Sequence, residues 1–492
     1  MADVQVSDRR ETAASAQRVS PPLVPTVKSP PAAPPRQRAL GLGSSTALVI
    51  GNMIGSGIFL LPAALAAYGG ISIVGWIFTA AGAMCLALVF SKLASLVPRV
   101  GGPYAYTRLG FGDFSGFWIA WGYWISVWTG NAAIAVALVS YLQGVIPALS
   151  NHVLSGLVAI ALIWLVTGIN VLGIKQVGVF QVVTTIMKLI PLVAMATIGL
   201  FWVNWSHFTP FNTSGMSPVA AVTAVAALTL WAFLGVESAT IPADDVANPS
   251  RTIPRATLIG TIIVAVVYIL GTVGVMGIIP LSQLGASGAP FADAAGAAWG
   301  QWAYYGVVIA AVISCLGNLN GFTLIQGQVP MAAARDNLFP PVFGKMSQRG
   351  IPWVGVVTAS VLVTVLLVLN YSGSNSLVSI FSFIILLATL TTLVPYAFCA
   401  MSELMLFIKD RERFQGQRLL GSSIIAVLAF AYSVWTVIGS GAETVLYGFV
   451  LLLLGIPVYV WMSKQQRDAA LAASSDANTA TTASESVTSV QK

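Results

Sequence analysis

Gly51-Asn52-Met53-Ile54-Gly55-Ser56-Gly57-Ile58-Phe59-Leu60-Leu61-Pro62 lies inside an apolar run from about Ala47 to Ala67, long enough to cross a bilayer. Its middle carries Gly55, Ser56 and Gly57 in succession, all weak helix formers. Non-helical backbone at membrane depth is tolerated only where it is buried in protein or lines a cavity. The stretch therefore reads as a helix broken at mid-membrane. Two readings are open from it alone. Small residues let helices pack closely, and a broken helix aims unpaired N–H and C=O groups at a ligand.

The surrounding chain is a membrane protein by composition. Its 492 residues are 57% hydrophobic and 8% charged, with a mean hydropathy of +0.85, outside the range of soluble domains. About twelve apolar spans follow one another, at approximately 45–68, 72–97, 115–146, 153–174, 177–203, 217–243, 256–280, 299–329, 353–371, 377–407, 420–439 and 443–463. The fold class expected is an all-α polytopic membrane protein. A basic Pro/Ser/Ala-rich tail at 1–42, with seven prolines between Pro21 and Pro35, precedes them. An Ala/Ser/Thr-rich tail at 466–492 follows, and both tails read as disordered and cytoplasmic. The polar N-terminus shows no cleavable signal peptide.

The formal charge of +7 is a topology signal rather than a nucleic-acid one. Placed on the span map with the N-terminus inside, Lys92, Arg99 and Arg108, Lys175, Arg251 and Arg255, Arg335, Lys345 and Arg349, and Lys409, Arg411, Arg413 and Arg418 fall in cytoplasmic loops. The external loops receive no Lys or Arg, which is the positive-inside pattern with both termini in the cytoplasm. Adding or dropping one span would destroy the alternation.

Two ionisable residues remain deep in spans, Lys188 and Glu237. Such groups are costly in the bilayer and mark function, an internal ion pair being the structural alternative. Glu237 follows Leu230-Trp231-Ala232-Phe233-Leu234-Gly235-Val236, a second interrupted span. Interrupted spans one and six open two five-helix blocks, about 45–203 and 217–407, an arrangement that points to a transporter's binding site. The helix start at Ser56-Gly57 offers N–H groups and a positive dipole end to a carboxylate. The half-helices ending near Met53-Ile54 and Trp231-Leu234 offer carbonyls to an ammonium. The complement is an amino acid. No phosphate loop or metal-ligand cluster is present, and the three cysteines (Cys85, Cys315, Cys399) all sit in apolar runs. No cofactor, metal or nucleic-acid partner is expected. Without a nucleophile–base constellation, neither is an enzyme.

The quoted stretch, together with Gly101-Gly102-Pro103-Tyr104-Ala105-Tyr106, Trp231 to Ser238, Asn248-Pro249-Ser250-Arg251-Thr252-Ile253-Pro254 and Asp336-Asn337-Leu338-Phe339-Pro340, resembles the amino acid–polyamine–organocation superfamily. Within it, the chain looks most like the bacterial basic amino acid/polyamine antiporters of the arginine/agmatine and putrescine/ornithine type. The resemblance implies a LeuT-like fold of twelve helices over about 43–465, with two inverted five-helix repeats and two further helices. It implies a multi-pass protein of the inner membrane and a small-molecule amino acid or amine substrate. It also implies alternating access without sodium, and a homodimer, the assembly that relatives often form.

Carried over by position, Ser56, Gly57 and Ile58 resemble the carboxylate end of the substrate site. Met53, Trp231 and Leu234 resemble the residues whose carbonyls take the α-amino group. Trp231 further resembles an aromatic lid on a cationic side chain, and Asn131 a pocket asparagine. Tyr104, Tyr123, Glu237 and Tyr396 match a gating and proton-sensing group. Three departures stand out. Near Asn131, Ser126, Val127 and Ile134 replace pocket residues of the arginine exchanger. Phe322 occupies a tryptophan position, keeping a weaker π face. Lys188 resembles the lysine that stands in place of a sodium ion in sodium-independent relatives. The function implied is exchange of a basic amino acid (arginine, lysine or ornithine) for an amine or another amino acid. The alternative is proton-coupled amino acid uptake through Lys188.

Overall fold

The structure, a computed structural model, describes residues 41–97, 102–172, 177–240, 246–373, 375–410 and 419–468. Both tails for most of their length, and Arg99, Gly101, Lys175, Arg411, Arg413 and Arg418, lie outside the described residues.

The chain is a multi-pass helical membrane protein, and no sheet forms among the described residues. In order the helices are α1 (Leu42–Met53), α2 (Ser56–Leu65), α3 (Ile71–Leu96), α4 (Pro103–Phe111), α5 (Asp113–Gln143), α6 (His152–Val171), α7 (Val177–Thr197) and α8 (Pro218–Leu230). They continue with α9 (Pro249–Ile278), α10 (Leu281–Leu284), α11 (Pro290–Trp299), α12 (Gln301–Arg335), α13 (Trp353–Tyr371), α14 (Leu377–Lys409), α15 (Leu419–Gly439) and α16 (Ala442–Leu453). Eight helices are long and apolar enough to cross a membrane; α1 and α2, bent by 41° at their break, make a ninth span. Three shorter apolar helices, Ile186–Trp202, Pro218–Phe233 and Ser423–Gly439, fall where the sequence places further spans.

The structure departs from the sequence reading at two short helices and bears out the interruption of the sixth span. Two short helices, α4 and α11, occupy segments read as loops; each has proline in its first turn, where a missing N–H costs nothing. The sixth span does not run as one helix. It stops at Leu230, tightens into a 3₁₀ turn at Trp231–Phe233, and is next helical only in the 3₁₀ turn Ser238–Thr240.

The core sits around α5, whose residues are buried almost continuously from Trp124 to Tyr141. It packs against α12 and α14, while α9 packs against α1, α3 and α7. α2 is held to α5 and α11 by the edge-on contacts of Phe59 with Tyr141 and Phe291, and Tyr141 Oη donates to the Phe59 carbonyl at 2.8 Å.

α5 also anchors the C-terminal helix. α16 is interrupted at Leu454 and the chain is helical again over 455–468, so the whole span is Ala442–Asp468 and the turn at Leu454 loosens its carbonyl ladder. The indole N–H groups of Trp118 and Trp121 donate to the Leu452 and Leu451 carbonyls at 3.1 and 2.9 Å. In an apolar medium such carbonyls find no water. Trp121→Phe, which keeps the ring and removes the donor, is expected to destabilise the protein by about 1 kcal/mol. Reversible unfolding in mixed micelles measures this, and unchanged stability would mean that the indole bond contributes nothing.

Candidate binding site

The two helix breaks meet. α1 ends at Met53, Ile54 is extended, and Gly55 precedes α2. The sixth-span break turns at Leu234, which is extended, and at Gly235, whose φ of +101° favours glycine. A Cβ on Gly235 would lie 3.3 Å from the backbone of Asn52, so the second break rests directly on the end of α1. A Cβ on Gly57 would lie 2.7 Å from Trp231 Cδ1, so the Trp231 ring covers the first turn of α2. These glycines are there for contact between the breaks, which settles the first of the two readings in part: close packing and a shared cavity are the same feature.

That cavity measures about 10 Å³ and is walled by Asn52, Met53, Gly55, Ser56, Gly57, Ile134, Trp231, Ala232, Leu234, Asn318 and Phe322. A second cavity, about 20 Å³, lies across Asn52, Leu234 and Phe322 from it, and reaches Tyr123, Ser126, Glu237 and Thr392. Of the residues singled out by sequence, Met53, Ser56, Gly57, Trp231, Leu234 and Phe322 share the first cavity. Ile58 is fully buried one position further along α2 and is not among its walls. Asn131 is also outside the walls. It sits beside Gly130, where a Cβ would lie 2.8 Å from the Trp231 ring, and donates its amide to Gln326 Oε1 at 2.6 Å.

The loose ends of α1 are partly satisfied from within the protein. Tyr268 Oη donates to the Met53 carbonyl at 2.7 Å, with its ring locked between Trp76 and Phe233. Lys188 Nζ donates to the Gly51 carbonyl and, at 3.3 Å, to Asn318 Oδ1. The Trp231 carbonyl accepts the Leu234 N–H at 3.2 Å. The carbonyls expected to be wholly unpaired at Met53 and Trp231 thus each carry one bond. A carbonyl has two lone pairs, so each keeps capacity for an ammonium. At the start of α2, no side chain caps the helix; its first N–H groups have no partner within the helix, a feature suited to an anion, and Ser56 and Gly57 line the cavity.

Tyr123, Glu237 and Tyr396 form one cluster. Tyr123 Oη donates to Glu237 Oε1 at 2.7 Å and Tyr396 Oη to Oε2 at 2.5 Å. Tyr104 does not join them. It donates to Asp336, whose Oδ2 also meets Arg108 Nη1 at 3.0 Å, and Arg108 Nε reaches Asp113 at 2.7 Å. This second cluster ties α4 to the end of α12, outside the spans. There, burial first and then the Asp336 bond and charge push the Tyr104 phenol up, keeping it a donor. Tyr268, Asn318 and Asn52 were missed in the sequence. Asn52 and Asn318 were detectable as amides in apolar spans; Tyr268 carries no local signal.

The model of the family described as "Amino acid permease" matches residues 40–467. The chain belongs to the amino acid permease family. Among curated relatives, this amino acid permease is 35% identical over 432 residues to the cadaverine/lysine antiporter of Escherichia coli K12, covering 86% of this chain and 94% of that one. It is 33% identical over 425 residues to the putrescine transporter PotE of the same strain, covering 86% and 96%. It is 32% identical over 429 residues to the putrescine transporter PotE of Haemophilus influenzae, covering 87% and 98%.

Gly57→Ala displaces the Trp231 ring, and Trp231→Leu removes its π face. Each is expected to weaken binding of a cationic amino acid by roughly tenfold. Because both act on one ring, the double variant is expected to be no weaker than Trp231→Leu alone. Titration of purified protein by tryptophan-independent calorimetry checks this, and additive losses would separate Gly57 from the ring.

Proposed function

We propose that this permease is a sodium-independent antiporter of the inner membrane, exchanging a basic amino acid for the amine of the same stem by alternating access. Lysine and cadaverine are the first pair to test, because they are named for the relative at 35% identity. The observation that carries the reading is the joint cavity at the two breaks: orphan N–H groups at Ser56 and Gly57, carbonyls at Met53, Trp231 and Leu234, and the Trp231 ring over them. It offers a carboxylate acceptor, an ammonium acceptor and a cation-binding face in one place.

In this reading the domain covers about 43–465 and comprises twelve spans, the nine long ones and the three shorter apolar helices. Two inverted five-helix repeats, about 45–203 and 217–407, each open on an interrupted span. The tails at 1–42 and 466–492 are cytoplasmic, and the protein is a homodimer. Ser56, Gly57 and Ile58 hold the carboxylate end. Asn131 and Phe322 flank the side chain. Tyr123, Glu237 and Tyr396 gate the site, and Tyr104 acts separately through Asp336 at the end of α12. Lys188, at the negative end of the α1 dipole, takes the place of a sodium ion.

Proteoliposomes preloaded with cadaverine should take up labelled lysine several-fold faster than unloaded ones. Uptake that ignores the internal amine and internal amino acids would overturn exchange. Glu237→Gln is expected to flatten the pH dependence of that exchange, since its two tyrosine donors would then face a neutral group at every pH. An unaltered profile would remove Glu237 from proton sensing.

A second reading, proton-coupled uptake, is favoured by one observation. Lys188 is buried and donates to two neutral acceptors, the Gly51 carbonyl and Asn318. Under it, an imposed pH gradient alone would drive accumulation, and Lys188→Ala would abolish it. Indifference of the wild type to the gradient would eliminate this reading.

A further inference from the structure

Gln326 lies on α12, 1% exposed, one helical turn beyond Phe322. All its hydrogen-bonding groups at this depth are committed. Its side-chain nitrogen donates to the Val356 carbonyl at 3.1 Å and to Ser360 Oγ at 3.1 Å. Its backbone carbonyl accepts Trp124 Nε1 at 2.9 Å. Ser360 is itself held, donating to the Val356 carbonyl at 2.9 Å and bonding Thr167 at 2.6 Å.

This arrangement dictates which way two amides face. The Val356 carbonyl can only accept, so the nitrogen of Gln326 must point to it and Oε1 must point to Asn131. Asn131 must then present its NH₂, which it does at 2.6 Å. Turning either amide over would set two oxygens, or two NH₂ groups, against each other. The consequence is that Asn131 Oδ1 is left facing away from Gln326. It is buried without a hydrogen-bond partner, on a residue 1% exposed. A buried acceptor left unpaired is costly.

The place of that acceptor is where α5 and α12 bound the candidate site. A Cβ on Gly130, next to Asn131, would lie 2.8 Å from the Trp231 ring and 3.9 Å from that of Phe322, and Ile134, one turn on, lines the cavity.

We propose that Gln326 is a positioning residue for specificity: it locks Asn131 so that Oδ1 receives the distal ammonium of the substrate. The inference rests on the reading of the joint cavity as the site of a basic amino acid. An ammonium is the group that lysine-like amino acids and their amines share, so one fixed acceptor serves both directions of exchange. The acceptor is neutral, so it selects an N–H donor without the attraction of a full negative charge, which would slow release.

The test compares lysine with norleucine, which keeps the aliphatic stem and lacks the ammonium, by competition binding to the purified full-length protein. Wild type should prefer lysine. Gln326→Met, close in volume and without amide groups, should lower the lysine-to-norleucine preference by about tenfold, with norleucine affinity changed less than about threefold. Adding Asn131→Asp to Gln326→Met should restore the preference, because a carboxylate presents an acceptor in either orientation. Ser360→Ala, a milder loosening of the same amide, should shift the preference in the same direction as Gln326→Met and guards against a variant that fails to fold. Equal loss of both ligands, a preference unmoved by Gln326→Met and Ser360→Ala, or no restoration by Asn131→Asp overturns the inference. Wild type that binds lysine and norleucine alike while still exchanging lysine for cadaverine overturns the inference alone. Wild type that neither binds nor exchanges a basic amino acid overturns the functional reading together with it.

Discussion

A peptide group in the middle of a membrane has no water to bond, and the architecture around α1 and α2 follows from that constraint. The chain stops a helix at Met53 and starts another at Ser56, releasing carbonyls at one end and N–H groups at the other. Such a break is stable only where other helices supply partners. α7 supplies Lys188 to Gly51, α9 supplies Tyr268 to Met53, and α12 places Asn318 against both Lys188 and the open side of Gly55. The second break leans on the first through Gly235 against Asn52 and Trp231 against Gly57. Each break is part of the other's surroundings, so neither can shift alone.

That mutual support explains the size of the joint cavity. At about 10 Å³ it is too small for an amino acid. The Glu237 cluster lies across Leu234 and Phe322 from this cavity, while the Tyr104–Asp336–Arg108 cluster sits at the end of α12. The two polar clusters thus lie at different places on the molecule, one on the sixth-span break and one between α4 and the end of α12.

Behind the site lies a framework of packed rings and hydrogen-bonded amides. Trp76, Phe233 and Tyr268 pack as one buried group. The amide network of Asn131, Gln326 and Ser360 joins α5, α12 and α13. Hydrogen bonding of this kind holds polar atoms in fixed directions.

Much of this protein is determined by sequence alone. Hydropathy places the spans, because a bilayer imposes a length on any segment that crosses it. The charge pattern gives an expected topology, and Gly55-Ser56-Gly57 and Gly235 mark both breaks, because runs of weak helix formers at membrane depth are visible one residue at a time. The family is legible from motifs over most of the chain, and the permease model matches residues 40–467. Tertiary structure decided what no local pattern encodes. It brought Gly57 under Trp231 and Gly235 onto Asn52, paired Tyr268 with Met53, divided Tyr104 from Glu237, and turned Asn131 toward Gln326. A break reveals that backbone groups are released. Which side chain satisfies them depends on how distant helices cross, and that is a property of the packed fold.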